Sequence, residues 1–268
     1  LQIECRGDSI VKLDTGKKRI SPIGQKETHE FLSALNDFYR TSRFNDFFNT
    51  HTDIYELGLQ VFNDSVMAHF DQEWYTRFYG TPPAEQFRII IGFTNGPCNY
   101  GPSRKLTGQP KEVFAIMNYA VDDNERPIFY KKVVETVVHE FCHSFTKIKG
   151  DTEKALEKSG KALQEYTYFS MRRQAYSTWR NILEESLVRA ATICYLIDHD
   201  YDEKDIRNAI IEQVDRNFFW MPELVQTLRY YESHRKKYPT FTSFYPEIIR
   251  FFDRYVTNME KEMKKAMK

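Results

Sequence analysis

Apolar residues recur at intervals of three and four along most of the chain and run together only in short stretches. Between Gln25 and Val66, Phe31, Leu32, Leu35, Phe38 and Tyr39 make one stripe, and Ile54, Leu57, Val61 and Phe62 another, so amphipathic helices are predicted there. Gly80 to Pro83 breaks the pattern. Phe87 to Phe93 is short and β-branched and predicts a strand, as does Glu112 to Val121 after a loop rich in Gly, Pro, Asn and Ser. Asp122-Asp123-Asn124-Glu125 then predicts a turn, with Pro127 in the first turn of a helix.

Beyond Pro127 the helical period dominates. Phe129, Val133, Val134, Val137, Val138, Phe141 and Phe145 form one stripe. A more polar helical region runs from Asp151 to Arg173, and Trp179, Ile182, Leu183, Leu187, Val188 and Ala191 mark the next helix. Ile206 to Phe219, Glu223 to Arg235 and Glu247 to Lys268 complete the helical set. Tyr238 to Pro246 is rich in Pro and Thr and predicts a loop. The first 24 residues are polar, with β-like runs at Ile10-Val11 and Arg19-Ile20. No internal repeat or interdomain linker interrupts this order. The expectation is one α+β domain over residues 1–268, with a mixed part (1–126) and a mainly helical part (127–268).

Composition narrows the classes. Hydrophobic residues make up 41% of the 268 and aromatics 15%, which excludes a disordered chain. Thirty-eight basic and 38 acidic residues cancel, which argues against a nucleic-acid partner held by bulk charge. No apolar run approaches the roughly 18 residues of a membrane span, so no transmembrane segment is expected. The four cysteines, Cys5, Cys98, Cys142 and Cys194, are dispersed and form no C-x-x-C pair, which argues against a thiolate zinc knuckle. Leu1 to Asp8 has neither a basic nor an apolar region and reads as the start of a trimmed or mature protein.

The first of the late helices carries His139-Glu140-Phe141-Cys142-His143, the pattern H-E-x-x-H. Four residues on a helix turn two side chains only about 40° apart, so both imidazoles can meet one ion. Zinc accepts neutral imidazole nitrogens and keeps one position open in catalytic sites. Glu140 is then placed to take a proton from water attacking a carbonyl. At this composition a chance match is roughly a one-in-a-hundred event.

A third protein ligand is needed. Ser144-Phe145-Thr146 follows His143, so the metzincin continuation H-x-x-G-x-x-H is missing. In gluzincins a Glu on a later helix serves, within N-E-x-x-x-D. Here the corresponding helix reads Glu184-Glu185-Ser186-Leu187-Val188-Arg189. Matching the second position of the pattern selects Glu185, with Glu184 the alternative. Arg189 stands where the pattern has Asp, to orient Glu185 or to bind a substrate carboxylate.

These segments, with Tyr238-Pro239-Thr240-Phe241, resemble a zincin-like, gluzincin-type family of exported Bacteroidetes proteins, a domain of unknown function carrying H-E-x-x-H. The resemblance covers roughly Phe87 to Phe252. It implies a zincin-like metallopeptidase fold, in which a small early sheet with an edge strand precedes the active-site helix and a helical C-terminal half. It implies Zn²⁺ on His139, His143 and Glu185, Glu140 as catalytic base and a peptide or protein substrate. Glu112 to Asn118 corresponds to the edge strand that pairs with substrate, which makes Asn118 a substrate-binding candidate beside Arg189. Tyr176 lies where gluzincins often have a tyrosine that donates to the reacting carbonyl. The resemblance also implies export to the periplasm, cell surface or medium, with the signal peptide outside this sequence. Two other functions fit the same residues: a binding protein whose metal site is structural or idle, and a metal-dependent hydrolase of non-peptide amides.

Overall fold

In the computed structural model the described residues are 3–7, 9–12, 24–94, 96, 98–130 and 132–266. The chain is mixed α+β, mainly helical with small sheets. It divides into two compact units, residues 1–68 with 84–130, and residues 69–83 with 131–268. The segment 69–83 belongs to the helical unit.

In the first unit, β1 (Ile3–Arg6) and β2 (Ser9–Lys12) form an antiparallel hairpin, and Gly7 turns between them with φ of +57°. The run Arg19-Ile20 lies outside the described residues. Three helices follow: α1 (Gln25–Thr41), α2 (Phe44–Thr50) and α3 (Thr52–Ser65). Asn36 of α1 ties the hairpin down by accepting the Ile10 N–H at 2.7 Å and donating to the Ile10 carbonyl at 2.8 Å. The strand predicted at Phe87 to Phe93 becomes β3 (Gln86–Ile91), which pairs parallel with β5 (Glu112–Met117).

Contrary to expectation, β5 is not an edge strand. The short β4 (Ser103–Arg104) pairs antiparallel with its first residues, and Tyr100 bridges to Ile116 on the same side. The sheet order is therefore β3-β5-β4. A charge explains why the loop folds back. Glu112 is buried, and Arg88 of β3 and Arg104 of β4 each donate to it at 2.8 Å from opposite sides. A second correction concerns Pro127. It lies in β7 (Pro127–Ile128), paired with β6 (Ala120–Val121), rather than in a helix. The Asp122 carboxylate accepts the N–H groups of Asn124 and Arg126 at 2.8 and 2.9 Å, and that closes a hairpin before any helix can start.

The second unit is helical: α4 (Trp74–Tyr79), α5 (Lys132–Cys142), α6 (Gly150–Tyr166), α7 (Tyr168–Arg173), α8 (Trp179–Asp198), α9 (Glu203–Asp215), α10 (Met221–Ser233) and α11 (Phe241–Ala266). Helix α8 is its axis. From Ile182 to Leu196 nearly every residue is buried, because α5, α6, α9 and α10 all pack on it. Thr178 caps its start by accepting the Asn181 N–H at 3.2 Å. Gly160 of α6 is the point of closest approach, where a Cβ would come within 2.5 Å of the Trp179 ring.

Much of the aromatic content is used here. Trp74 stacks on Phe78 at 4.4 Å, and Tyr79 on Phe145 at 4.2 Å. The Tyr75 hydroxyl donates to the Val138 carbonyl, so α4 braces α5 from behind. Cys142 is packed in this region and burial pushes its thiol up to about 12; Cys194 is buried too, whereas Cys5 and Cys98 are exposed.

The expected loop over Tyr238–Pro246 is the third correction, since α11 starts at Phe241 and contains Pro246. Thr240 and Ser243 exchange side-chain-to-N–H hydrogen bonds at 3.2 Å in both directions, a reciprocal cap that starts the helix. Pro246 and Thr242, whose carbonyl loses its helical partner to the proline, are both exposed, so water can serve that carbonyl. Phe241, Phe244 and Tyr245 are buried and hold the turn in place. Among the described residues no helix is long and apolar enough to cross a membrane.

Candidate metal site

The site begins at the end of α5. Cys142 is its last helical residue, and His143 opens a tighter turn in which Ser144 and Phe145 donate to the carbonyls of Phe141 and Cys142. The two histidines keep their one-turn relation, with ring centroids 5.1 Å apart and ring planes at 83°. Both turn Nε2 toward one carboxylate on α8. His139 Nε2 is 3.3 Å from Glu185 Oε1, and His143 Nε2 is 3.6 Å from Glu185 Oε2. One ligand atom from each of the three residues can be chosen so that all lie within 4.8 Å of one another, and the group can hold a metal ion. Glu185 is buried, whereas the His139 and His143 side chains keep 21% and 31% of their surface open. The cluster is therefore walled on the α8 side and accessible from the histidine side.

The choice between the adjacent glutamates follows from α8 itself. Successive helical residues point about 100° apart, so only one of the two can face α5. Glu184 faces the other way: its carboxylate accepts the Ile148 N–H at 2.9 Å and pairs with Lys147 at 3.0 Å. It pins the segment between His143 and α6, while Glu185 joins the histidines.

Arg189, one turn after Glu185, occupies its far side. Its Nη2 lies 2.8 Å from Glu185 Oε1 and donates to the Tyr176 hydroxyl at 3.0 Å. Its Nη1 donates to Gln213 of α9, and the guanidinium lies 5.0 Å over the Phe218 ring. Two roles were expected for Arg189, orienting Glu185 or binding a substrate carboxylate, and the contact present is with Glu185. Tyr176, in the turn before α8, is drawn into the same group. Gln213 and Phe218 were not anticipated from the sequence. Asn118 lies in the first unit, just after β5, where its N–H donates to Asn99 Oδ1 at 2.8 Å.

The electrostatics suit a divalent cation. Burial, followed by the neighbouring His139, lowers His143 to about 4, which leaves it the neutral imidazole that metals bind. Burial alone would raise Glu185, but His139, Arg189 and His143 hold its carboxyl well below the usual carboxylate range. Burial and the Glu185 charge push the Glu140 carboxyl up, against the opposing pull of His139 and Arg189. Burial, then Glu185, raises the Tyr176 phenol. Burial would lower Arg189, but Glu185 and Tyr176 more than offset it. Two imidazole nitrogens, one ionised carboxylate and an adjoining carboxyl group make a donor set that fits a borderline-soft divalent ion.

A family model described as Domain of unknown function (DUF4932) matches residues 3–251. The chain belongs to this family. The match reaches well N-terminal of Phe87, so both compact units are part of the DUF4932 domain. Searches of curated proteins and of solved structures return no match.

Proposed function

We propose that this DUF4932 chain is a zinc-dependent peptidase with a zincin-like, gluzincin-type centre. The observation that supports it most is the convergence of Glu185 on His139 and His143, with Glu140 on the same turn. His139, His143 and Glu185 would hold the ion, two nitrogens and one oxygen, the set found where a fourth position stays open to water or substrate. When bound, zinc polarises the scissile carbonyl and makes water acidic enough to deprotonate near neutral pH. Glu140 takes the proton from the attacking water and delivers it to the departing amine. Tyr176 is the candidate hydrogen-bond donor to the carbonyl oxygen. Its hydroxyl accepts from Arg189 and is hydrogen-bonded to the Glu185 carboxylate, so donation to a substrate would require its proton to turn away from Glu185.

One observation favours the second reading, a binding protein with an idle metal site. The strand expected to receive substrate, β5, has partners on both sides. A peptide substrate would then need another docking surface.

Chelator-sensitive cleavage of a peptide or denatured-protein library separates the two readings. The peptidase reading expects Glu140→Gln to retain the metal and lose about 10²–10⁴-fold in rate. Wild-type protein that is loaded with zinc and cleaves nothing in a broad library would refute it.

A further inference from the structure

Arg189 is a nearly buried cation, its side chain 11% exposed, and its ion-pair partner is Glu185. The oxygen it holds, Oε1, is also the one nearest His139 Nε2. Gln213, Tyr176 and the Phe218 ring fix the guanidinium from three other directions. A charge so placed does two opposing things. It compensates a buried carboxylate that would otherwise stand beside two imidazoles with no fixed counter-charge. It also repels a second cation arriving at the same carboxylate and occupies one of that carboxylate's two oxygens.

We propose that Arg189 is a positioning residue that serves as a built-in counter-cation for Glu185. It holds Glu185 in place beside the histidines when no metal is bound, and it lowers the affinity of the site for metal. This rests on the reading of His139, His143 and Glu185 as metal ligands. The pair Glu185–Arg189 thus makes the centre a site that can be emptied and refilled without unfolding α8. The metal-loaded state has less need of Arg189, because the ion then supplies the positive charge.

Arg189→Met keeps most of the side-chain volume and removes the charge. The metal-free variant is expected to melt several degrees below the metal-free wild type, and to bind Zn²⁺ at least tenfold more tightly in competition with a chelator. Arg189→Lys, which keeps the charge, is expected to stay close to wild type in both measurements. Loss of packing alone would weaken Zn²⁺ binding, so a gain in affinity is the readout that separates the two explanations. Should metal-free Arg189→Met fail to fold, the double variant Glu185→Gln/Arg189→Met removes both charges and is expected to melt above Arg189→Met. A double variant no more stable than Arg189→Met would overturn the proposal. So would an Arg189→Met protein that binds Zn²⁺ no more tightly than wild type. A wild-type chain that takes up no Zn²⁺ would defeat the metal reading itself, while the metal-free melting comparison would still judge the role of Arg189.

Discussion

Glu184 and Glu185 are neighbours of identical chemistry, and the structure gives them opposite duties, so Glu184→Ala should cost stability and spare the metal. Truncation removes the acceptor of the Ile148 N–H, on a residue only 2% exposed. An orphaned buried N–H costs about 1–3 kcal/mol. The ion pair with Lys147, whose side chain is 45% exposed, adds at most about 1 kcal/mol. The expected loss is therefore roughly 2–3 kcal/mol, or about 5–10 °C in Tm for a unit of this size. The three tryptophans, Trp74, Trp179 and Trp220, all belong to the helical unit, so their fluorescence during thermal unfolding reports on that unit alone. Elemental analysis of the same sample supplies the metal content. A Glu184→Ala protein with wild-type Tm and no metal would show that the wrong glutamate has been placed beside the histidines.

Three other outcomes follow from the packing and charge of the helical unit. Gly160→Ala would ordinarily gain about 1 kcal/mol of helix propensity, but its Cβ would meet the Trp179 ring at 2.5 Å. A net loss of roughly 1–2 kcal/mol is expected from overpacking, with a change in tryptophan emission; a stabilised protein would refute the close contact. Burial and the adjacent Asp198 carboxyl raise Glu232 from 4.5 to about 8, only partly offset by Arg229. Because the folded-state value is raised, its contribution to stability is fully present below pH 4.5 and is lost as pH rises toward 8. Glu232→Gln should therefore match wild type near pH 4.5 and exceed it by a few kcal/mol, on the order of 2–4, near pH 8.5; an offset that does not change with pH, measured by denaturant titration, would contradict this. His199→Gln should loosen the segment around Asp71, since His199 Nε2 lies 3.1 Å from the Asp71 carboxylate. Its expected cost is about 1 kcal/mol with metal content unchanged; loss of the metal instead would contradict it.

How far the chain could be read in advance depended on the range of the interaction concerned. His139, Glu140 and His143 lie within one turn, and a helix period is enough to bring them together. Glu185 could be selected only by its match to a pattern, and its partner Arg189 stood out as a departure from that pattern. The destination of the Arg189 side chain could not be read, because Gln213 lies on a separate helix and Phe218 just beyond it. The same division runs through the fold. The helical stripes from Val133 to Leu187 became helices because burial on α8 rewards that period. The internal position of β5 depends on Arg88 and Arg104 meeting one buried glutamate, a contact between three strands that no local pattern announces. At Pro246 and Pro127 the local rule was applied too broadly. A reciprocal Thr240–Ser243 cap starts α11 ahead of one proline, and the Asp122 turn draws the other into a hairpin.

The central claim is that His139, His143 and Glu185 bind one ion together. It is tested most directly by the zinc stoichiometry of purified protein reloaded with Zn²⁺, measured for wild type, His139→Ala, His143→Ala and Glu185→Gln. About one zinc per chain in wild type, lost in all three variants with their folds intact, is the expected result. A wild-type chain without stoichiometric zinc, or a His139→Ala protein that keeps it, would contradict the account.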